Sequence, residues 1–168
     1  MALLFSKYAL DAKPYNDKHE SVTWENCTLR SWLNDDFYKA AFSEMERERI
    51  IETLVVNADN PVYGTDGGND TRDKVFLLSI DEVAKYFAPD LNVSDSVRRA
   101  QVTEYAKSQG GWYNESEKYY GNGWWWLRSP GNYDVSAAIV FDNGSVACNG
   151  NFVATYKDVV CPAIWITY

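Results

Sequence analysis

Apolar residues recur at helical spacing through most of the first 110 residues of the chain. Apolar side chains three and four positions apart indicate amphipathic helices. This spacing predicts helices within Leu29–Leu54, Ile80–Phe87 and Asp95–Lys107. Ser43 with Glu46 and Ser79 with Glu82 have the spacing of capping boxes, in which each side chain satisfies an amide at the start of a helix. We therefore expect one helix to begin after Ser43, within the first range, and another after Ser79.

Strand signals are concentrated in the C-terminal half of the chain. The runs Ser136–Phe141 and Ser145–Cys148 flank Asp142-Asn143-Gly144, and an Asn-Gly pair tolerates the positive φ angles of a type I′ turn. This pattern predicts a β-hairpin. Further strands are expected in the apolar segments Leu3–Tyr8, Val75–Leu78 and Val159–Tyr168.

The predicted elements favour a single α+β domain over residues 1–168, with helices packed on a twisted antiparallel sheet. A chain of 168 residues with 46% apolar side chains can fill one core without disulfides or metals. Alternating inward positions in the strands require large apolar side chains. On this basis we expect core positions at Trp125, Leu127, Ile139, Val140, Val146, Ile164 and Ile166.

The charge of the chain narrows the classes of partner. The formal net charge is −8, from 16 basic and 24 acidic side chains, and it repels phosphate backbones. A membrane-spanning helix needs about 20 consecutive apolar residues, and the sequence has no such run. The apolar start of the chain is shorter than the core of a signal peptide. We expect no nucleic-acid partner, no membrane insertion and no targeting signal.

Residues that carry catalytic or metal chemistry are scarce. The single histidine, His19, lies in a polar stretch and is expected on the solvated surface. Cys27, Cys148 and Cys161 form no CxxC pair and are expected to be buried thiols. A multi-histidine metal site cannot be assembled, and a nucleophile with a histidine base would depend on His19 alone. We therefore expect a protein without catalytic residues and without a cofactor.

The segment Asn57–Asp73 is rich in oxygen-bearing side chains. Five of these side chains are potential calcium ligands: Asp59, Asp66, Asn69, Asp70 and Asp73. Their spacing does not match an EF-hand loop. Asn, Asp and Gly also dominate ordinary turns. A turn-rich surface loop is therefore the favoured interpretation, and calcium binding stays open.

Aromatic residues after Gly110 exceed what the core of a domain this size needs. The chain has 7 Trp and 12 Tyr, and several of these rings alternate with Asn and Gly. Rigid amphipathic rings provide contact area, and Asn provides adaptable hydrogen bonds. The alternative is ordinary aromatic packing and turns. The candidate ligand-binding residues are Tyr119, Tyr120, Asn122, Trp124, Asn132, Tyr133, Asn149, Asn151, Phe152 and Tyr156, whereas Arg128 and Asp73 are expected to be structural.

Motifs along nearly the whole chain resemble an uncharacterised bacterial domain family. They comprise Trp24–Asn34, Phe37-Tyr38, Ala41–Ser43, Asp73–Ser79 with Glu82, Thr103–Ala106, Trp125–Gly131 and Pro162–Ile166. The resemblance implies a C-type-lectin-like fold of the formylglycine-generating-enzyme branch. It also implies a place among surface and phage-associated proteins, at the cell surface, secreted or on a phage particle. That branch includes the variable proteins of diversity-generating retroelements, whose changeable side chains lie near the C terminus on a fixed frame.

The sequence departs from the patterns of related proteins at several positions, and these departures limit which family properties can be inferred for this chain. The family usually has Arg before its final Pro-Ala, where this chain has Cys161. The cysteine pair of the formylglycine-generating enzymes and the calcium motifs of sugar-binding lectins are also missing from the sequence. The leading hypothesis is a non-catalytic recognition module for a protein or glycan ligand, and the resemblance adds a diversified variable protein as one form of it. The alternatives are a carbohydrate-binding or carbohydrate-active surface protein and a structural domain of a surface or phage particle.

Overall fold

The computed structural model describes residues 1–167 and combines short helices with several β-sheets, which confirms the α+β class. The helices are α1 Thr28–Trp32, α2 Tyr38–Ala41, α3 Glu44–Arg49, α4 Ile80–Tyr86 and α5 Glu104–Ser108. A π-helical turn, Leu33–Phe37, joins α1 to α2, and two 3-10 turns cover Trp24–Asn26 and Ser96–Arg98.

Thirteen strands complete the described part of the chain. The N-terminal strands are β1 Ala2–Phe5, β2 Tyr8–Ala9, β3 Asp11–Ala12, β4 Ile50–Ile51, β5 Thr53–Val55, β6 Thr71–Asp73 and β7 Val75–Phe76. The C-terminal strands are β8 Gln101–Val102, β9 Trp125–Pro130, β10 Ser136–Val140, β11 Val146–Phe152, β12 Val159–Val160 and β13 Ala163–Ile166.

Both predicted capping boxes are present at the starts of α3 and α4. The hydroxyls of Ser43 and Ser79 accept hydrogen bonds from the amides of Glu46 and Glu82, and each glutamate side chain accepts from the amide of its serine. Such a reciprocal pair satisfies two amides that a helix start otherwise leaves unpaired. The local sequence therefore determined both helix starts.

The prediction of helix as far as Leu54 was wrong, because α3 ends at Arg49. The next residues form β4, which pairs with β13, and β5, which pairs with β6. Ile50, Ile51, Thr53 and Val55 are β-branched, and such side chains pack well on a pleated surface. Strand pairing with distant partners therefore overrode the helical spacing of this segment.

The predicted helix Asp95–Lys107 was also wrong in extent. Only a 3-10 turn and α5 are helical in this range, and β8 lies between them. Arg98 explains the interruption, since its buried guanidinium donates to the carbonyl oxygens of Ala88, Asp90, Val93 and Gly144. The backbone around Arg98 is thus fixed by tertiary contacts rather than by helix hydrogen bonds.

The described strands form two larger sheets and two small two-stranded sheets, β2–β8 and β5–β6. Of the larger sheets, the first has the order β1-β13-β4, with β7 also paired to β13, and the second has the order β11-β10-β9-β12-β3. The predicted strand Val159–Tyr168 is divided between them, because β12 belongs to the second sheet and β13 to the first. Cys161 and Pro162 make the crossing. Tyr168 lies outside the described residues.

The predicted hairpin joins β10 to β11, but its turn is not type I′. No residue other than glycine has a positive φ in the described chain, so Asn143 lacks the conformation that this turn requires. Gly144 has φ +86°, its amide donates to the carbonyl of Phe141, and the amide of Phe141 donates to Ser145. This pattern matches a three-residue loop in which a left-handed glycine follows a type I turn.

The core lies between the two sheets and the helices. Trp24, Trp125 and Trp126 are among its largest fully buried side chains. Of the seven predicted core residues, Trp125, Leu127, Ile139, Val140 and Val146 are buried, whereas Ile164 and Ile166 are partly buried and pack against the core. Within residues 1–167, no helix has both the length and the apolar character needed to cross a membrane.

Candidate functional site

The ten predicted ligand-binding residues fall into two groups at opposite ends of β10. Asn132, Tyr133, Asn149, Asn151, Phe152 and Tyr156 lie near Ser136, whereas Tyr119, Tyr120, Asn122 and Trp124 lie near the turn that follows Val140. A strand rises roughly 3.4 Å per residue, so the two ends of β10 are on the order of 15 Å apart. The sequence predicted a single surface, and the structure has two separate regions.

The first region has four exposed rings on segments that backbone hydrogen bonds join, and we call these four residues the aromatic patch: His19, Tyr133, Phe152 and Tyr156. The exposed fractions are 62% for Tyr133, 55% for Phe152 and 70% for Tyr156. The rings of His19 and Phe152 meet edge to face, with centroids 5.1 Å apart. A contiguous exposed apolar surface can mark an interaction site.

The backbone under the aromatic patch is closely hydrogen-bonded. The amide of Asn132 donates to the carbonyl of Asn149 over 3.0 Å, and the amide of Val153 donates to Val135 over 3.0 Å. The hydroxyl of Ser136 accepts from the amide of Tyr133 over 3.0 Å. These bonds fix the loop that carries Tyr133 to the strand end that carries Phe152, so the rings stand on an ordered frame.

Two contributors to this region could not be found from the sequence. His19 contacts Phe152 although 132 residues intervene, and Ser21 donates to the carboxylate of Asp134 over 2.8 Å. Pairs so distant in sequence leave no local pattern. His19 is exposed as predicted, but it is a neighbour of the aromatic patch rather than an isolated surface residue.

A buried carboxyl group lies behind the patch. Asp158 is 2% exposed and accepts a hydrogen bond of 2.9 Å from the side-chain amide of Asn151. Burial raises the pKa of Asp158 from 3.8 to about 7, against the smaller lowering effect of the Asn151 hydrogen bond. The bond closes the segment from Asn151 to Asp158, and this segment carries Phe152 and Tyr156.

The second region consists mainly of packed rings. Trp124 lies between Trp112 and Phe141, with centroid distances of 5.0 and 5.1 Å, and its indole N–H donates to Asp142 over 2.9 Å. Trp124 is accordingly only partly exposed. The stack attaches the loop before β9 to the β10–β11 turn.

The other three predicted residues of the second region differ in their surroundings. Asn122 is buried, and its side chain bridges Gln101 and the carbonyl of Asp142. Tyr119 lies against Arg99 and Lys118, and a hydrogen bond from Lys118 lowers its pKa. Tyr120 is the exposed ring of this group. Asn122 and Trp124 therefore support the loop, and little of either side chain is accessible to a ligand.

The segment Asn57–Asp73 was predicted as a surface loop, but its last three residues form β6, and Asn57, Asn60 and Asp73 are buried. Many of its side-chain oxygen atoms accept hydrogen bonds from within the protein. Asp59, Asp66 and Asp70 accept hydrogen bonds from the amides of Gly67, Gly68 and Asn57, at 2.8 to 3.0 Å. The side-chain amide of Asn60 donates to carbonyls of β9 and β11, including Cys148 over 2.8 Å. Within residues 1–167, no group of three or more His, Cys, Asp and Glu side chains is arranged to hold a metal ion.

Arg128 and Asp73 make internal contacts, as predicted. Asp73 accepts from Trp24, Arg30 and Thr71 at 2.7 to 2.9 Å. Arg128 is buried and pairs with Glu82, and it also donates to the carbonyls of Val56 and Leu77. Both residues hold the first half of the chain to β9 and its surroundings.

The cysteines have no disulfide in the described chain. Cys27 and Cys161 are buried, and burial raises the pKa of Cys27 to about 12 and that of Cys161 further. Cys161 occupies the position at which the sequence resemblance implies an Arg. Because the Cys161 side chain is fully buried, this departure lies in the core and not on a ligand-binding surface.

Comparison with protein families gives a match that covers the whole chain. The model of a family described as a domain of unknown function (DUF6273) matches residues 1–168. No curated protein and no solved structure shows significant similarity to the chain.

Proposed function

The chain belongs over its whole length to the DUF6273 family, and for this member we propose a non-catalytic recognition module that binds a protein or glycan ligand on the aromatic patch. The observation that carries the proposal is the combination of three rings more than half exposed with a hydrogen-bonded frame. Rings held rigidly before binding lose little entropy on contact with a partner. Asn149, exposed beside them, adds an adaptable hydrogen-bonding group.

The fold that we propose for this module is C-type-lectin-like. Sheets in which most strand pairs are antiparallel, flanked by short helices, support it, although β9–β12 and β2–β8 pair in parallel and so depart from the predicted antiparallel sheet. A variable protein of a diversity-generating retroelement needs changeable side chains on a fixed frame. Exposed side chains can change without loss of the fold, and four of them lie here: Tyr133, Asn149, Phe152 and Tyr156. The buried residues of β9 and β10 provide the fixed frame.

The test compares two triple variants. We expect Tyr133→Ala, Phe152→Ala and Tyr156→Ala together to weaken ligand binding at least a hundredfold, because aromatic side chains commonly dominate interface energies. The free energy of unfolding should change by less than about 1 kcal/mol, since exposed side chains contribute little to stability. Ligands come from a screen of the unmodified protein on a glycan array and on a protein array.

The matched control removes three other exposed tyrosines, Tyr8, Tyr63 and Tyr105, which are 52%, 52% and 58% exposed. The control should bind as the unmodified protein does. Equal loss of binding in both variants would contradict the proposal, as would a large loss of stability in the first. Cleavage of a bound glycan would replace it with the carbohydrate-active alternative.

A further inference from the structure

Strand β1 is an edge of the first sheet, and nothing in residues 1–167 pairs with its outer side. β13 lies on one side of β1, with Leu3 opposite Trp165 and Leu4 opposite Ile164. Backbone groups on an open strand edge form hydrogen bonds readily with another chain. Natural edges are protected by charges, prolines, bulges or a short strand length. Ala2–Phe5 is short, at four residues, but carries no charge, proline or bulge.

The register identifies the backbone groups that face outward. The amide of Ser6 donates to the carbonyl of Pro162 in the same register, so Ser6 and Pro162 form a hydrogen-bonded pair. Antiparallel pairs alternate between bonded and non-bonded. Leu4 therefore directs its N–H and C=O toward β13, whereas Leu3 and Phe5 direct theirs to the open edge. Two donors and two acceptors are thus available to a partner.

At its C-terminal end, β1 borders a cavity of about 410 Å³, lined by Phe5, Lys7, Phe87 and the segment 96–100. Lys7 and the segment 96–100 form two of its walls, and these walls meet where β2 and β8 pair in parallel, at Tyr8 and Gln101. The apolar floor is formed by Phe5 and Phe87, whose rings meet edge to face at 5.7 Å. This volume falls within the range of roughly 300–1,000 Å³ that accepts small molecules or ligand groups.

The charged residues that line the cavity are Lys7, Arg98 and Arg99, and all three are basic. Arg98 donates to several backbone carbonyls and Arg99 donates to the carbonyl of Asn143, which leaves the exposed Lys7 as the cation without such a bond among the described residues of the cavity wall. In a chain of net charge −8, this local excess of positive charge favours an anionic group. A free carboxylate beside an apolar side chain has the matching chemistry.

We propose that β1 and this cavity bind the C-terminal end of an extended peptide whose last side chain is aliphatic or aromatic. The peptide lies parallel to β1 and bonds to the N–H and C=O groups of Leu3 and Phe5, as in strand addition. Its last side chain lies against Phe5 and Phe87, and its terminal carboxylate faces Lys7. An antiparallel peptide would instead bring a positive amino terminus to a basic wall.

The first measurement is amide hydrogen exchange by NMR in the free protein. Leu3 and Phe5 should exchange at least a hundredfold faster than Leu4, and their rates should not depend on protein concentration. Protection that rises with concentration would mean that a second copy pairs with β1, and would overturn the peptide proposal. Slow exchange of Leu3 and Phe5 at every concentration would also overturn it.

The second measurement is fluorescence anisotropy with dye-labelled peptide pools. The pools are random hexapeptides ending in Leu or Phe, either with a free C-terminal carboxylate or with a C-terminal amide. We expect the free carboxylate to bind at least tenfold more tightly and to shift the amide resonances of Leu3 and Phe5. Equal affinity of the two pools, or no binding by either, would overturn the proposal.

Substitutions test whether the peptide binds at β1 and the cavity beside it. Lys7→Gln should reduce the preference for the carboxylate to less than threefold, whereas Lys39→Gln, an equal change of charge on the exposed side of α2, should leave it unaltered. Leu3→Pro removes the outward N–H together with the Leu3 side chain, which packs against the core, and should weaken both pools about tenfold. If Leu3→Pro fails to fold, the amide resonance shifts decide the same point. An unchanged preference in Lys7→Gln would overturn the assignment.

Discussion

At the scale of single residues, Asp158 couples the stability of the protein to pH. Burial raises its folded-state pKa to about 7, whereas an unperturbed aspartate has a value of 3.8. Between these values the folded state retains a proton that the unfolded state has lost. The contribution of Asp158 to stability is therefore fully present below about pH 4, falls as the pH rises to about 7, and is constant above it.

Asp158→Asn should remove this dependence, because asparagine is shaped like the protonated acid and can still accept the hydrogen bond from Asn151. We expect the variant to match the unmodified protein near pH 4 and to exceed it above pH 7 by up to about 4 kcal/mol, at about 1.4 kcal/mol per pKa unit. Urea unfolding at pH 4.5, 6 and 8 measures the difference. A difference that is the same at all three values would contradict the assignment.

At the scale of elements, the β10–β11 turn is docked on a distant segment. The amide of Asp95 donates to the carbonyl of Asn143 over 3.1 Å, and Arg98 donates to the carbonyl of Gly144 over 2.6 Å. A Cβ atom at Gly144 would lie 1.9 Å from the carbonyl oxygen of Asp95. This position therefore requires glycine for two reasons: the backbone is left-handed, and it lies very close to the backbone of Asp95.

Substitution of two glycines separates these requirements. Gly110 has φ +92°, similar to the +86° of Gly144, but has nothing within 4 Å of an added Cβ. Gly110→Ala should cost about 1 to 2 kcal/mol for the left-handed conformation alone. Gly144→Ala should cost at least about 2 kcal/mol more, because the turn must move away from Asp95. Chemical denaturation measures both, and equal losses would show that the docking contributes nothing.

Elements whose determinants are local were predicted from the sequence. The capping boxes at Ser43 and Ser79 fix helix starts through residues three positions apart, and Asn143-Gly144 marks the hairpin although not the turn type. Elements that depend on distant partners were not. Ile50–Val55 becomes strand because β13 and β6 lie beside it, and Arg98 interrupts a helix through carbonyls far along the chain.

The same division applies to the candidate site. Composition identified an excess of aromatic and Asn residues, and Tyr133, Phe152 and Tyr156 are indeed exposed. It could not separate them from Asn122, which is buried, because both kinds of residue occur in Asn- and Gly-rich stretches. Nor could it place His19 beside Phe152. Burial of a polar side chain is decided by contacts such as those with Gln101 and Asp142, which no local pattern encodes.

At the scale of the whole molecule, β1 joins the two ends of the chain and both sheets. It pairs with β13 in the first sheet, and the ring of Phe5 contacts Trp125 of the second sheet at 5.3 Å and Phe87, which follows α4, at 5.7 Å. Because Phe5 contacts both sheets, removing its ring should destabilise both of them. If the chain is a single domain, it should therefore unfold cooperatively.

Phe5→Ala should lower the free energy of unfolding by about 2 to 3 kcal/mol, because the removed ring leaves space between the sheets. If the chain is one domain, tryptophan fluorescence and far-ultraviolet circular dichroism should give the same midpoint, before and after the substitution. Fluorescence reports mainly on tryptophans of the core, and dichroism reports on the helices and strands throughout. Two separated midpoints, or a shift confined to one signal, would mean that the two halves of the chain unfold independently.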